Sequence, residues 1–94
     1  MVKKSLLHLT LHREFFEAIA TGIKTTEFRD DTAYWRTRLE GRRYDEIIFR
    51  NGYGRHVPEM RVEFKSIRRI VRGGHKVFAI KLGRILALKR WKKK

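Results

Sequence analysis

The chain has 94 residues and no cysteine, so it has room for one small domain and can form neither a disulfide nor a thiolate metal site. Its 24 Lys and Arg residues stand against 10 Asp and Glu residues, a formal net charge of +14. No apolar run approaches the roughly 18 residues of a membrane-spanning helix, and the N-terminal segment is too polar for a secretion signal. We therefore expect a cytoplasmic protein that does not act at a membrane.

The positive charge is concentrated in the second half of the sequence. The first 47 residues contain 9 basic and 8 acidic side chains, whereas the last 47 contain 15 basic and 2 acidic ones. Such an excess on a small domain favours a polyanionic partner. We expect RNA first, with DNA left open, and a monomer rather than an oligomer.

The first half of the chain predicts two strands and two helices. Residues 5–12 alternate apolar and polar side chains, which is typical of a half-buried strand, and residues 13–20 have helical apolar spacing up to the helix-ending Gly22. Residues 25–29 predict a second strand with Phe28 facing the core and Glu27 and Arg29 on the opposite face. Residues 30–41 predict a short helix that one of the residues 30–32 caps and in which Trp35 is buried.

The second half predicts three more strands. Residues 44–51 centre on Ile47 and Phe49, residues 59–71 alternate until the phase slips near Ser66, and residues 76–88 form the last long strand. A two-residue turn at Gly73-Gly74 joins the last two strands. We therefore predict an α+β fold: a small, mostly antiparallel β-barrel of five to six strands with two short helices. The domain would span residues 1–88, and residues 89–94 would form a basic tail that contacts phosphates.

The segment Lys24-Thr25-Thr26-Glu27-Phe28-Arg29 is the first candidate site. A carboxylate between two cations stays ionised and can accept a hydrogen bond or move a proton, while the cations and a threonine hydroxyl can hold a phosphate. We expect Lys24, Thr25 and Arg29 to bind nucleic acid, and Lys24 and Glu27 to be catalytic if the protein is an enzyme. The alternative is an ion-pair ladder on an exposed strand face.

Two further clusters combine aromatic rings with arginines. Tyr34 and Arg36 lie on the second predicted helix, where the ring could stack on a base and the guanidinium could contact phosphate, although solvated arginines beside a buried Trp35 would give the same pattern. The glycine-containing loop after the third strand brings four further candidates for nucleic-acid contact, namely Arg50, Asn51, Tyr53 and Arg55. The four histidines have no metal-ligand spacing, so neither a metal nor another cofactor is expected.

The segment from Gly22 to Arg29 resembles the G-x-K-T-x-E-x-R signature of the ASCH domain family, and the likeness extends through residues 33–42, 47–54 and 77–86. The resemblance implies a PUA-like β-barrel and RNA binding in a cleft that includes this signature.

The resemblance also implies two enzymatic alternatives. Some members of the family are ribonucleases. In that role Lys24 would stabilise the developing phosphorane without a metal, and Glu27 or a tyrosine would transfer protons. Another branch hydrolyses N4-acetylcytidine with the signature lysine, a threonine three residues later and a distant glutamate. Lys24 matches the lysine, but Glu27 occupies the threonine position, which counts against this amidohydrolase activity.

Overall fold

A computed structural model describes residues 3–92 and contains two helices and one five-stranded sheet. In chain order the elements are β1 (Leu6–Thr10), α1 (Arg13–Ala20), β2 (Thr26–Asp30), α2 (Ala33–Leu39), β3 (Glu46–Arg50), β4 (Glu59–Arg72) and β5 (His75–Lys89). The order in the sheet is β1-β3-β4-β5-β2, so β1 and β2 are the two edge strands. The sheet is mixed, because β1 pairs with β3 in parallel while the other neighbours are antiparallel. It is strongly curled into a half-barrel, which confirms the predicted α+β class.

The core lies on the concave face of the sheet. Alternate residues of the strands supply it, since every second side chain of a strand points to the same face. The apolar faces of α1, through Phe16 and Ile19, and of α2, through Leu39, are buried in the same core. The strand residues of this core are Leu7, Leu9, Ile47, Phe49, Met60, Val62, Phe78, Ile80 and Leu82.

The ends of both helices agree with the sequence signals. Gly22, just beyond α1, has a φ of 82°, as expected for the left-handed residue that follows a helix. The hydroxyl of Thr32 accepts a hydrogen bond from the backbone N–H of Trp35 at 3.3 Å, so Thr32 caps α2. Trp35 is partly buried and packs against the core.

The β4–β5 hairpin is the longest feature of the fold. Gly73 and Gly74 form its turn with φ angles of 58° and 80°, the signs that a type I′ turn requires. The pairing register shifts between Arg61 and Ser66, which confirms the predicted irregularity of this strand. At the shift, a carboxylate oxygen of Glu63 accepts the backbone N–H of Arg84 at 2.9 Å, so a side chain replaces part of the backbone ladder.

The C-terminal segment extends the sheet and then contacts the core. β5 includes Lys89, and the ring of Trp91 packs against the core cluster. Lys93 and Lys94, which belong to the predicted basic tail, lie outside the described residues. Within residues 3–92, neither helix is long and apolar enough to cross a membrane.

Candidate nucleic-acid interface

The signature segment folds into a buried cluster of three charged side chains, which we call the ion triad: Lys24, Glu27 and Arg29. The ammonium of Lys24 lies 2.9 Å from one carboxylate oxygen of Glu27, and the guanidinium of Arg29 contacts the other oxygen at 2.7 Å. Glu27 is only 4% exposed. Because both oxygens are engaged, the two cations compensate the cost of removing this carboxylate from water.

The prediction that Phe28 faces the core is wrong. In the pairing of β2 with β5, Glu27 lies opposite Ile80 and Arg29 lies opposite Phe78, and both partners belong to the core. Glu27 and Arg29 therefore share the concave face, and Phe28 is on the outer face. The alternation of the strand was predicted with the correct period, but the side of the sheet was inverted, because the ion triad allows a carboxylate to be buried there.

Arg29 also links the two edges of the sheet. Its guanidinium donates a hydrogen bond at 3.1 Å to the backbone carbonyl of Thr10, at the end of β1. Its charged carbon lies 4.9 Å from the ring centre of Trp35, which brings α2 onto the same group. The ion triad thus connects β1, β2 and α2 across the opening of the half-barrel.

The loop predicted to contact nucleic acid is hydrogen-bonded to the segment that follows β1, next to the contact made by Arg29. The side-chain amide of Asn51 donates to the carbonyl of Leu11 at 3.0 Å, one residue beyond the carbonyl that Arg29 contacts. Tyr53 is 90% exposed, and Arg55 is also exposed. Arg50 is turned inward toward the loop and β4, where it donates to the carbonyl of Gly54 and lies 3.6 Å from a carboxylate oxygen of Glu59.

The two candidates on α2 lie in a different place. Tyr34 is exposed, and the guanidinium of Arg38 lies 3.5 Å from its ring centre. Arg36 lies 3.6 Å from a carboxylate oxygen of Asp31 and lines a cavity of about 930 Å³ near the hairpin turn. That cavity contains neither Lys24 nor the loop at Asn51.

Thr25 is exposed at the start of β2, where its carbonyl accepts the N–H of Leu82 at 3.0 Å.

The outer face of the β2–β5–β4 strands carries a row of cations. Arg68 lies opposite Ala79, and Lys81 lies opposite Ser66, so both point away from the core side chains of Phe78 and Ile80. Arg72 joins them, because its guanidinium carbon lies 3.9 Å from the ring centre of Phe28.

We call this surface the outer cation row: Arg68, Arg72 and Lys81. Within residues 3–92, none of the three has a carboxylate within ion-pair distance. By contrast, Arg69 of the same hairpin is paired with both Asp31 and Glu40. The outer face also holds Asp30, at the far end of β2 from Lys81. The row was not predicted as a site, although the excess of basic residues after residue 48 was its signal.

The described residues offer no arrangement for a metal ion. Within residues 3–92, no group of three or more histidine or carboxylate side chains is placed to ligate one.

Comparison of the chain with models of known protein families, with curated proteins and with solved structures found no match in any of the three. The resemblance to the ASCH family remains a prediction that rests on the signature segment and its order with the later segments.

Proposed function

We propose that this protein binds RNA and that the outer cation row supplies its main contacts with phosphate. The observation that carries the proposal is a set of three exposed cations that have no carboxylate partner within the described residues. Cations that are not neutralised by the protein attract a polyanion and release its counterions on binding. The net charge of +14 adds long-range attraction to this local surface.

The signature segment contributes to this surface in two ways. Its polar residues Glu27 and Arg29 face inward and fix β2 against the rest of the sheet. Its Phe28 faces outward between two cations, Arg72 at 3.9 Å and Lys24 at 5.9 Å from the ring centre. An aromatic ring among cations on an open sheet face is a surface on which nucleic acid can stack while its phosphates are held.

We do not propose RNA cleavage as a second function. The ribonuclease alternative assigns proton transfer to Glu27 or a tyrosine, and both oxygens of Glu27 are engaged by Lys24 and Arg29 in a buried setting. We therefore expect RNA to stay intact during binding.

The test is a titration of fluorescently labelled single-stranded RNA with the protein over a series of salt concentrations, read by anisotropy. We expect binding at low salt and a logarithm of affinity that falls linearly with the logarithm of salt concentration. The same titration with DNA of matched sequence decides between the two polymers. Absence of RNA binding at low salt, or an affinity independent of salt, would contradict the proposal.

A further inference from the structure

A groove runs along α1 on a part of the surface that the ion triad and the outer cation row do not occupy. It consists of two cavities that share Arg13 and Asn51 in their walls. The larger has a volume of about 570 Å³ and lies between α1, Pro58 and the C-terminal segment with Trp91. The smaller, about 220 Å³, continues past the residues before α1 to Tyr53. The larger one has the size of a small-molecule site.

The wall formed by the C-terminal segment depends on an uncommon backbone conformation. Arg90 has a φ of 58°, and within residues 3–92 it is the one non-glycine residue with a positive φ. Its guanidinium donates to the carbonyl of Val57 at 2.8 Å, which ties the end of β5 to the loop before β4. This bend allows Trp91 to pack against the core while also lining the cavity. A conformation of this kind persists where the surroundings hold it, and it is frequent at ligand sites.

The groups in the groove suit an anionic ligand that also has flat rings. Arg13, Arg90 and Lys92 line the larger cavity with a single acid, Glu17, which is paired with Arg13 at 3.0 Å. The side-chain NH₂ of Asn51 donates to the backbone carbonyl of Leu11, which orients the side-chain amide and leaves its oxygen to accept from a base.

An aromatic ring stands at each end of the groove. Trp91 lines the larger cavity, and Tyr53, which is 90% exposed, lines the smaller one. Bases of any sequence stack on such rings, while cations between the rings contact the backbone. Stacking on a base would give a role to Tyr53, whose side chain contributes nothing to the core.

We propose that this groove binds two consecutive unpaired nucleotides of RNA, with one base on Trp91, the next on Tyr53 and the phosphate between them at Arg13. The inference rests on the proposed RNA binding and adds to it a preference for single strands with accessible bases. The outer cation row attracts phosphates of any polyanion, whereas the groove requires the bases.

The test uses fluorescence of Trp91 in the Trp35→Phe variant, which leaves Trp91 as the sole tryptophan and keeps an aromatic ring beside Arg29. The protein is titrated with short single-stranded oligoadenylate and, separately, with inorganic polyphosphate, which has charge but no bases. We expect oligoadenylate to quench the emission of Trp91 and polyphosphate to bind without quenching.

Two variants complete the test. Arg13→Ala is matched by Arg84→Ala, because both arginines are exposed and paired with a glutamate, but Arg84 lies outside the groove. We expect Arg13→Ala to weaken oligoadenylate binding more than Arg84→Ala does. The two variants should weaken polyphosphate binding to the same extent as each other. Tyr53→Ala, at a side chain that the fold does not need, should weaken oligoadenylate binding about tenfold through the loss of one stacked base.

The groove proposal is overturned if oligoadenylate binds with a normal salt dependence but quenches Trp91 no more than polyphosphate does, or if the two arginine variants bind it equally. In that case RNA binding by the outer cation row stands. If neither polymer binds at low salt, the proposed function fails, and the groove proposal fails with it.

Discussion

At the scale of single residues, Glu27 determines how the signature segment is used. A carboxylate that is 4% exposed would be costly without partners, and Lys24 and Arg29 supply them at 2.9 and 2.7 Å. The same contacts pair all three charges with one another and place Phe28 on the outside. The charged residues of the signature thus stabilise the fold, and the resulting orientation of β2 places Phe28 on the outer surface.

Removal of the Glu27 carboxylate should destabilise the protein strongly. In Glu27→Ala, two largely buried cations lose their counter-charge, so we expect a loss of about 3 kcal/mol in the free energy of unfolding. The matched control is Glu17→Ala, which removes the carboxylate of the exposed Arg13–Glu17 pair and should cost less than about 1 kcal/mol. Urea unfolding of both variants measures the difference. Equal costs would show that the ion triad does not hold the half-barrel together.

A second residue-scale prediction concerns pH. The hydrogen bond from the backbone N–H of Arg84 lowers the pKa of Glu63 below its ordinary value of 4.5, and the positive charges of Arg84 and Lys65 act in the same direction. Because the pKa is lower in the folded state, the resulting stabilisation is present above pH 4.5 and is lost as the pH falls through the folded pKa.

The variant Glu63→Gln, which retains a hydrogen-bond acceptor, should therefore be less stable than the wild type at neutral pH and approach it in acid. Urea unfolding of both proteins over a pH series measures this difference. A stability difference that stays constant with pH would contradict the assignment.

At the scale of elements, strand alternation and turn chemistry were sufficient for most of the fold. The spacing of Leu7 and Leu9, the phase slip near Ser66 and the Gly73-Gly74 turn all predicted what the structure shows. The inward orientation of Glu27 was missed because it depends on Arg29 reaching Thr10, 19 positions earlier in the chain. Local patterns do not specify which face of an edge strand is buried when a distant backbone carbonyl completes the hydrogen bonding of its charged side chains.

The residues of the candidate site were likewise only partly predictable from the sequence. The sequence indicated the loop with Asn51 and Tyr53 and the excess of late cations, because composition and glycine spacing are local signals. It did not indicate that Arg13 and Trp91 share a groove with Asn51, because that proximity arises only when the C-terminal segment packs beside α1. The parallel pairing of β1 with β3, which brings Asn51 next to Leu11, is equally non-local.

The hairpin turn offers a prediction at this scale. Asparagine tolerates the left-handed conformation, whereas a β-branched residue does not. We expect Gly73→Asn to retain the stability of the wild type and Gly73→Val to lose about 1–2 kcal/mol. Thermal unfolding followed by circular dichroism provides the comparison, and a Val variant as stable as the Asn variant would contradict the assigned turn.

At the scale of the whole molecule, the distribution of charge is the main functional feature. The acids concentrated in the first half meet cations from both halves: Glu46 pairs with Lys4 and Arg61, and Asp31 pairs with Arg69. The cations left over include the outer cation row on the longest hairpin of the fold. The protein therefore presents a sheet surface of unneutralised charge together with a separate groove that contains aromatic rings.

The salt dependence of RNA binding by a variant of the outer cation row tests this account most directly. Each phosphate contact on a single strand contributes about 0.7 to the slope of log affinity against log salt, so replacement of Arg68, Arg72 and Lys81 by alanine should reduce the slope by about 2. Arg84→Ala, which removes a cation already paired with Glu63, should leave the slope close to that of the wild type. A triple variant with the wild-type slope would contradict the account. So would a decrease in slope per removed charge equal to that caused by Arg84→Ala.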